Sequence, residues 1–310
     1  MPPEPPAALR LAIDREALAS NWRALDRLSG RASAAAAVKA DAYGVGVSQA
    51  VPVLHEAGCR DFLVAHWSEV PEVAGLVDPG SIAVLHGPLN PSDAAYARAI
   101  GVRPVINSVR QARLGLEGGG GPCDLMVDTG INRLGLPMSE LGDDAVRALE
   151  IDVLMSHLAS ADEDVALNGL QQARWMEART SLTHRRASLA NSAGIVLGEA
   201  YHGDLTRPGL SLYGGVPRSE LKGVIRQVAR PQAAIMQVRN IVAGDGVGYN
   251  STFVADRAMR VGTIALGYGD GYLRCWSGKG ALLAPGRRLP LLGRVSMDMT
   301  VIDLGDAPEL

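Results

Sequence analysis

Between residues 34 and 215 short apolar runs alternate with amphipathic segments, and this alternation limits the fold more than any other feature of the 310-residue chain. The runs are Ala34–Ala40, Asp61–Ala65, Ile82–His86, Arg103–Ile106, Asp124–Asp128, Ile151–Leu158, Ala187–Ala190 and Leu205–Tyr213. Strands that are apolar on both faces and alternate with helices make a parallel sheet covered by helices. Helical signals follow several runs. One is Pro91–Arg98, with Asn90 or Ser92 as its N-cap. Another is Gly169–Leu182, with apolar residues recurring at Leu170, Ala173, Met176 and Leu182. Eight such units are the count of a (β/α)8 barrel, which is favoured over an open doubly wound sheet.

After residue 222 the texture changes. The runs Gln232–Val238, Arg260–Leu266, Arg287–Leu292 and Met299–Leu304 are separated by glycine-rich turns and carry no helical period. This reads as an all-β second domain. The expected fold class is therefore α/β. A TIM-like (β/α)8 barrel occupies 1–222, with its first residues available to pair with the second domain. A mainly-β domain occupies 223–310.

Composition excludes several functions. Net charge is −3, and the sequence pI of about 6.1 leaves no basic face for nucleic acid. Cys59, Cys123 and Cys275 make neither a C-x-x-C pair nor a metal-ligand set, so reduced thiols and no metal are expected. Met1-Pro2-Pro3-Glu4-Pro5-Pro6 has no basic start before an apolar run, and no apolar stretch has the length of a membrane span. The expected setting is the cytoplasm.

Lys39 is the only lysine in the first 221 residues, and it follows the apolar run Ala34–Val38, where a barrel strand reaches its C-terminal end. Catalytic groups of barrel enzymes sit at those ends. A lysine in an apolar site loses its charge more easily and can then act as an amine nucleophile toward an aldehyde. Position alone also permits a lysine whose stem lies on apolar surface with its head in water.

Seven further segments join Val38-Lys39-Ala40-Asp41-Ala42-Tyr43-Gly44 in one order. They are Val127–Gly135, Ser156-His157-Leu158-Ala159, Ala190-Asn191-Ser192-Ala193-Gly194, Arg207–Gly214, Val247-Gly248-Tyr249, Gly267–Tyr272 and Ser296-Met297-Asp298-Met299-Thr300. With these segments, over almost its whole length, the chain resembles the alanine racemases, enzymes that use pyridoxal 5′-phosphate (PLP) to interconvert L- and D-alanine. The resemblance implies a PLP barrel followed by a β-domain. It also implies a homodimer whose active sites take residues from both chains, and a role in supplying D-alanine for peptidoglycan.

The resemblance assigns roles to individual residues. Lys39 carries the cofactor and moves the Cα proton on one face of the substrate. Tyr249, from a partner chain, moves it on the other. A free phenol, pKa about 10, needs a neighbour that stabilises its anion; His157 and Arg207 are the candidates. Arg207 faces the pyridine nitrogen. Arg133 contacts the cofactor's phenolic oxygen and the substrate carboxylate, an anion that suits its planar fork. Tyr43, Asn191, Ser192, Gly209 and Leu210 enclose the phosphate, over the last two barrel strands where barrels usually bind it. Met297 and Asp298, from the same facing β-domain of the partner chain, lie near the entrance and the substrate carboxylate.

The chain departs from the family pattern in three places. Val45 stands where the family usually has His. Met126 stands where many members carry a carbamylated lysine that orients the Arg133 equivalent. The chain stops at Leu310, tens of residues short of the family's usual end, so the β-domain reads as incomplete. Two other readings stand beside alanine racemisation. One is a non-catalytic or weakly active PLP-binding barrel protein. The other is a racemase for serine or another amino acid.

Overall fold

The computed structural model describes residues 5–284, 286–305, 307 and 309–310. The start of the N-terminal stretch read as lacking a leader lies outside them. The chain divides into two compact units: Ile13–Ala229, and Arg230–Leu310 together with the residues up to Ala12. The division falls after Ala229, against an expected boundary at residue 222.

The Ile13–Ala229 unit contains all eight expected strands. They are a first strand in two pieces, Ser33–Ala34 and Ala36–Ala37, then Phe62–Val64, Ile82–Val84, Arg103–Ile106, Pro122–Asp128, Glu150–Met155, Arg186–Ser188 and Leu205–Thr206. All run parallel, with registers such as Ala36↔Phe62, Phe62↔Ile82, Val105↔Asp124 and Arg186↔Val153. The sheet closes because the eighth strand pairs with the first through Leu205↔Ser33. It meets the seventh through Asp204 N–H to the Ala187 carbonyl (2.7 Å) and Arg207 N–H to the Ala190 carbonyl (2.8 Å). Ala35, Leu63, Ala83, Val105, Met126, Val153, Met155 and Leu205 form one buried cluster, a filled barrel interior rather than a pore.

At the N-terminal ends of the strands the interior is ionic. Arg103, at the start of the fourth strand, reaches Asp61 (2.9 Å), Asp124 (3.3 Å) and Asp152 (3.5 Å). Arg186 joins Asp61 (2.8 Å) and Asp152 (2.7 Å). Buried charges persist only when paired in this way.

The helices confirm the period but correct one face. Pro91–Ile100 starts at Asn90, whose side chain accepts the Asp93 N–H (3.0 Å). Ala166–Ser181 buries Asn168, Gln171, Trp175 and Ala178, while Leu170 (47 % exposed) and Met176 (42 %) face solvent. Trp175 and Ala178 set the packing, and the amide at 171 is carried inward with them.

The second unit is a five-stranded antiparallel sheet in the order Ile235–Ile241, Met259–Ile264, Thr300–Asp303, Arg287–Leu292, Ala281–Ala284. Leu9–Ile13 pairs with Ala229–Ala233. Ile264, Leu266, Leu289, Leu291, Val295, Ile302, Leu304 and Ala307 form its main core. Among the described residues no helix is long and apolar enough to cross a membrane.

Candidate active site

Lys39 follows the first strand directly, after Val38 donates its N–H to the Leu63 carbonyl (2.9 Å). The chain then turns with the wrong hand for L residues. Ala40, Asp41, Ala42 and Tyr43 all hold φ between 51° and 58°, and none is glycine. Each such residue costs roughly 1–2 kcal/mol, so its surroundings must hold it. Glu69 Oε1 accepts the Ala40 N–H (2.7 Å), and Asp41 Oδ1 accepts the Val47 N–H (2.7 Å). The Tyr43 ring stacks on Tyr213 (centroids 4.8 Å apart), whose hydroxyl donates to the Ala37 carbonyl (2.9 Å). The Lys39 amine is held below its ordinary pKa, first by burial and then by the Arg133 charge, with Glu69 opposing.

The turn brings the Tyr43 hydroxyl against Gly209, where a Cβ would lie 2.3 Å from that oxygen. A methyl there would push the Tyr43 ring aside. Ser192 Oγ accepts the N–H groups of Gly209 (3.0 Å) and Ser211 (3.2 Å), so two backbone donors converge on one oxygen. The Ser211 hydroxyl is buried and, among the described residues, has no partner. Asn191 behaves differently from Ser192: its side-chain carbonyl caps the next turn through the Gly194 N–H (2.9 Å).

Arg207 is buried, and its guanidinium donates to Ser188 Oγ and to the carbonyls of Ser156 and Leu189. All three acceptors are neutral. Burial pushes its pKa down to about 10, with the Asp124 charge opposing, so it remains a cation at neutral pH. His157 is pushed down to about 3, first by burial and then by the charges of Arg207, Arg133 and Lys39. It is therefore neutral.

Arg133 is exposed on a loop organised by Asp128, whose Oδ1 accepts the N–H groups of Gly130 (2.8 Å), Ile131 (3.0 Å) and Asn132 (3.2 Å). Gly135 (φ 137°) returns the chain so closely that a Cβ would lie 2.8 Å from the Asp128 nitrogen. Among the described residues no carboxylate pairs with Arg133.

Lys39, Tyr43, Arg133, His157, Asn191, Ser192, Arg207, Gly209 and Leu210 all line one cavity of about 770 Å³ at the C-terminal ends of the barrel strands. Met126 lines it too. Tyr249, Met297 and Asp298 belong to the other unit. There Tyr249 is 64 % exposed and Met297 63 %. The Met297 carbonyl accepts the Gly269 N–H (2.7 Å), tying that loop to Gly267–Tyr272. The sequence reading missed Glu69, Gln171 and His86, which also lines the cavity and packs edge-on against His66 (4.2 Å). None of the three lies in a motif.

A family model described as "Alanine racemase, N-terminal domain" matches residues 13–217, and one described as "Alanine racemase, C-terminal domain" matches 228–310. An alanine racemase of Methylobacterium nodulans is 42% identical over 309 residues, spanning 96% of this chain and 83% of that protein. The crystal structure of alanine racemase from Bartonella henselae with covalently bound pyridoxal phosphate has a TM-score of 0.89 at 32% identity, over 98% of this chain and 88% of that one. The biosynthetic alanine racemase of Pseudomonas aeruginosa has a TM-score of 0.89 at 33% identity, with the same coverage.

Proposed function

The chain belongs to the alanine racemase family, and from that premise we propose that it interconverts L- and D-alanine by a two-base reaction with PLP held on Lys39. The carrying observation is the single cavity that gathers Lys39 with the converging donors at Ser192 and the buried Arg207.

The residues present fit the cofactor. A phosphate needs backbone N–H groups and small neighbours. Gly209 lets the backbone approach closely beside Ser192, Leu210 and Tyr43, and in the same turn the buried Ser211 hydroxyl has no partner among the described residues. PLP supplies the electron sink that makes the substrate's Cα proton acidic. The protein supplies placement and proton transfer. Arg207 cannot give up a proton at neutral pH, so the pyridine nitrogen it would face stays unprotonated. Arg133 orients the substrate carboxylate, and Met297 and Asp298 come to the entrance from the second copy of the chain. Lys39, whose charged form burial disfavours, holds or moves the proton on one face of Cα.

Tyr249, supplied by a second copy of the chain, serves the other face. Its exposure on a unit of its own supports a homodimer with shared sites. The proposed setting is the cytoplasm, with D-alanine supplied to peptidoglycan.

Chirally resolved product analysis of the full chain with L-alanine and PLP tests the reading. D-alanine should appear at an enzymatic rate; its absence while Lys39 carries PLP overturns it. Tyr249→Phe should lower racemisation roughly 10²–10⁴-fold, the range of a lost general acid–base group. In D2O, deuterium should still enter the Cα of one enantiomer without inversion. Equal loss of exchange from both enantiomers would contradict two bases on opposite faces. Gly209→Ala should force Tyr43 aside and weaken PLP affinity by about tenfold or more, since the new methyl overlaps the hydroxyl. Unchanged affinity by fluorescence titration would remove Gly209 from the phosphate site.

A further inference from the structure

We propose that Gln171 is a positioning residue that fixes His157 and, through Thr129 and Ser156, the buried guanidinium of Arg207. The proposal rests on the racemase reading of the pocket.

Gln171 sits on the helix Ala166–Ser181, outside the cavity, and is fully buried. A buried carboxamide must spend its donors and acceptor on protein partners. All of its partners lie on the loops after the fifth and sixth barrel strands. Oε1 accepts the Ala159 N–H (2.8 Å), while Nε2 donates to the His157 carbonyl (3.0 Å) and to Thr129 Oγ1 (3.3 Å). One amide group therefore grips the backbone on both sides of Leu158 and holds His157 by its own carbonyl. Among the described residues the His157 ring has no hydrogen bond, so this backbone grip is what locates it.

The second arm runs to Arg207. Thr129 Oγ1 and Ser156 Oγ are 2.7 Å apart, and both residues are fully buried. The Ser156 carbonyl accepts from the Arg207 guanidinium, and the Ser156 N–H donates to the Ser188 carbonyl (3.1 Å). Gln171 thus reaches His157 directly and Arg207 through two hydroxyl residues. Groups of this kind matter through the orientation they impose, and losing them typically costs 10–100-fold.

The test uses the 310-residue chain loaded with PLP. Gln171→Leu should lower kcat roughly 10–100-fold with KM for alanine changed less than about threefold. It should also shift the pH dependence of the bound cofactor's visible absorbance, because Arg207 and His157 would stand differently against the ring. Thr129→Val keeps the side-chain shape and the His157 grip while cutting the Arg207 arm. It should shift the same titration by less, and it carries the test if Gln171→Leu does not fold. A Gln171→Leu protein that melts at lower temperature but keeps the wild-type absorbance titration and pH–rate profile would show that Gln171 only packs the helix. An unshifted Thr129→Val protein would overturn the Arg207 arm. A wild-type chain that shows no cofactor absorbance overturns the functional reading, and this proposal with it. An active wild type matched by both variants overturns this proposal alone.

Discussion

Lys39→Ala should leave no cofactor on the chain after borohydride reduction and should lower racemisation by at least the roughly 10²–10⁴-fold that one acid–base group contributes. The argument starts from how few amines could replace it. The remaining lysines are Lys222 and Lys279, and both are exposed. Neither lines the cavity that gathers Lys39 with the other site residues. Lys39 does, and there burial and the Arg133 charge lower its pKa. A lowered pKa means that more of the neutral amine is present at any pH below the ordinary lysine value. The rate in the wild-type chain should therefore rise with pH through a midpoint below that value. Peptide mapping after reduction decides the matter: PLP fixed on a peptide containing Lys222 or Lys279 would remove Lys39 from its assigned role.

Arg103→Met should destabilise the protein strongly, by about 3–5 kcal/mol, the usual cost of removing one partner from a buried ion pair. Arg103 is the only cation among the described residues that forms an ion pair with Asp124, which is itself 1 % exposed. Asp61 and Asp152 keep Arg186. Burial already raises the Asp124 carboxyl to about 6, against 3.8 for a free carboxylate, even with Arg103 beside it.

The sign follows from that difference. Between pH 3.8 and 6 the folded protein binds a proton that the unfolded chain has released, so this group's contribution to stability falls as pH rises. Without Arg103 the carboxyl should rise further. The deficit of the variant should therefore be larger at pH 8 than at pH 5. At about 2–4 °C per kcal/mol for a unit of this size, the melting temperature at pH 8 should drop by roughly 10 °C. A drop under about 2 °C would mean that the carboxylates are solvated and the ionic floor is dispensable.

The eight strands were legible because each is an apolar run bounded by helix or turn residues, and burial on both faces leaves that mark in sequence. The cavity residues were legible through motifs, whose spacing follows the strand ends. Other parts left no such mark. The left-handed turn at Ala40–Tyr43 contains no glycine, and local preference speaks against it. Its cause is distant: the Glu69 carboxylate and the Tyr213 ring. Gln171 was hidden for a related reason. Leu170 and Met176 suggest an apolar face that the fold leaves in solvent, and the polar amide is drawn inward by Trp175 and Ala178. The five groups of the ionic floor sit at strand starts 42 or fewer residues from their neighbours in the ring, but only barrel closure brings Asp61 to Arg186.

The reversed turn after Lys39 has a consequence for the order in which the protein can be made. Its supports are not yet present when residues 39–43 leave the ribosome: Glu69 comes later, and Tyr213 belongs to the last barrel segment. A nascent chain that has not reached residue 213 lacks the Tyr213 ring, and before residue 69 it lacks the Glu69 carboxylate as well, so those four residues have less to hold them in their disfavoured hand. The amine becomes distinctive only when synthesis of the barrel is complete. If Lys39 carries PLP as proposed, cofactor capture is expected to follow completion of the barrel.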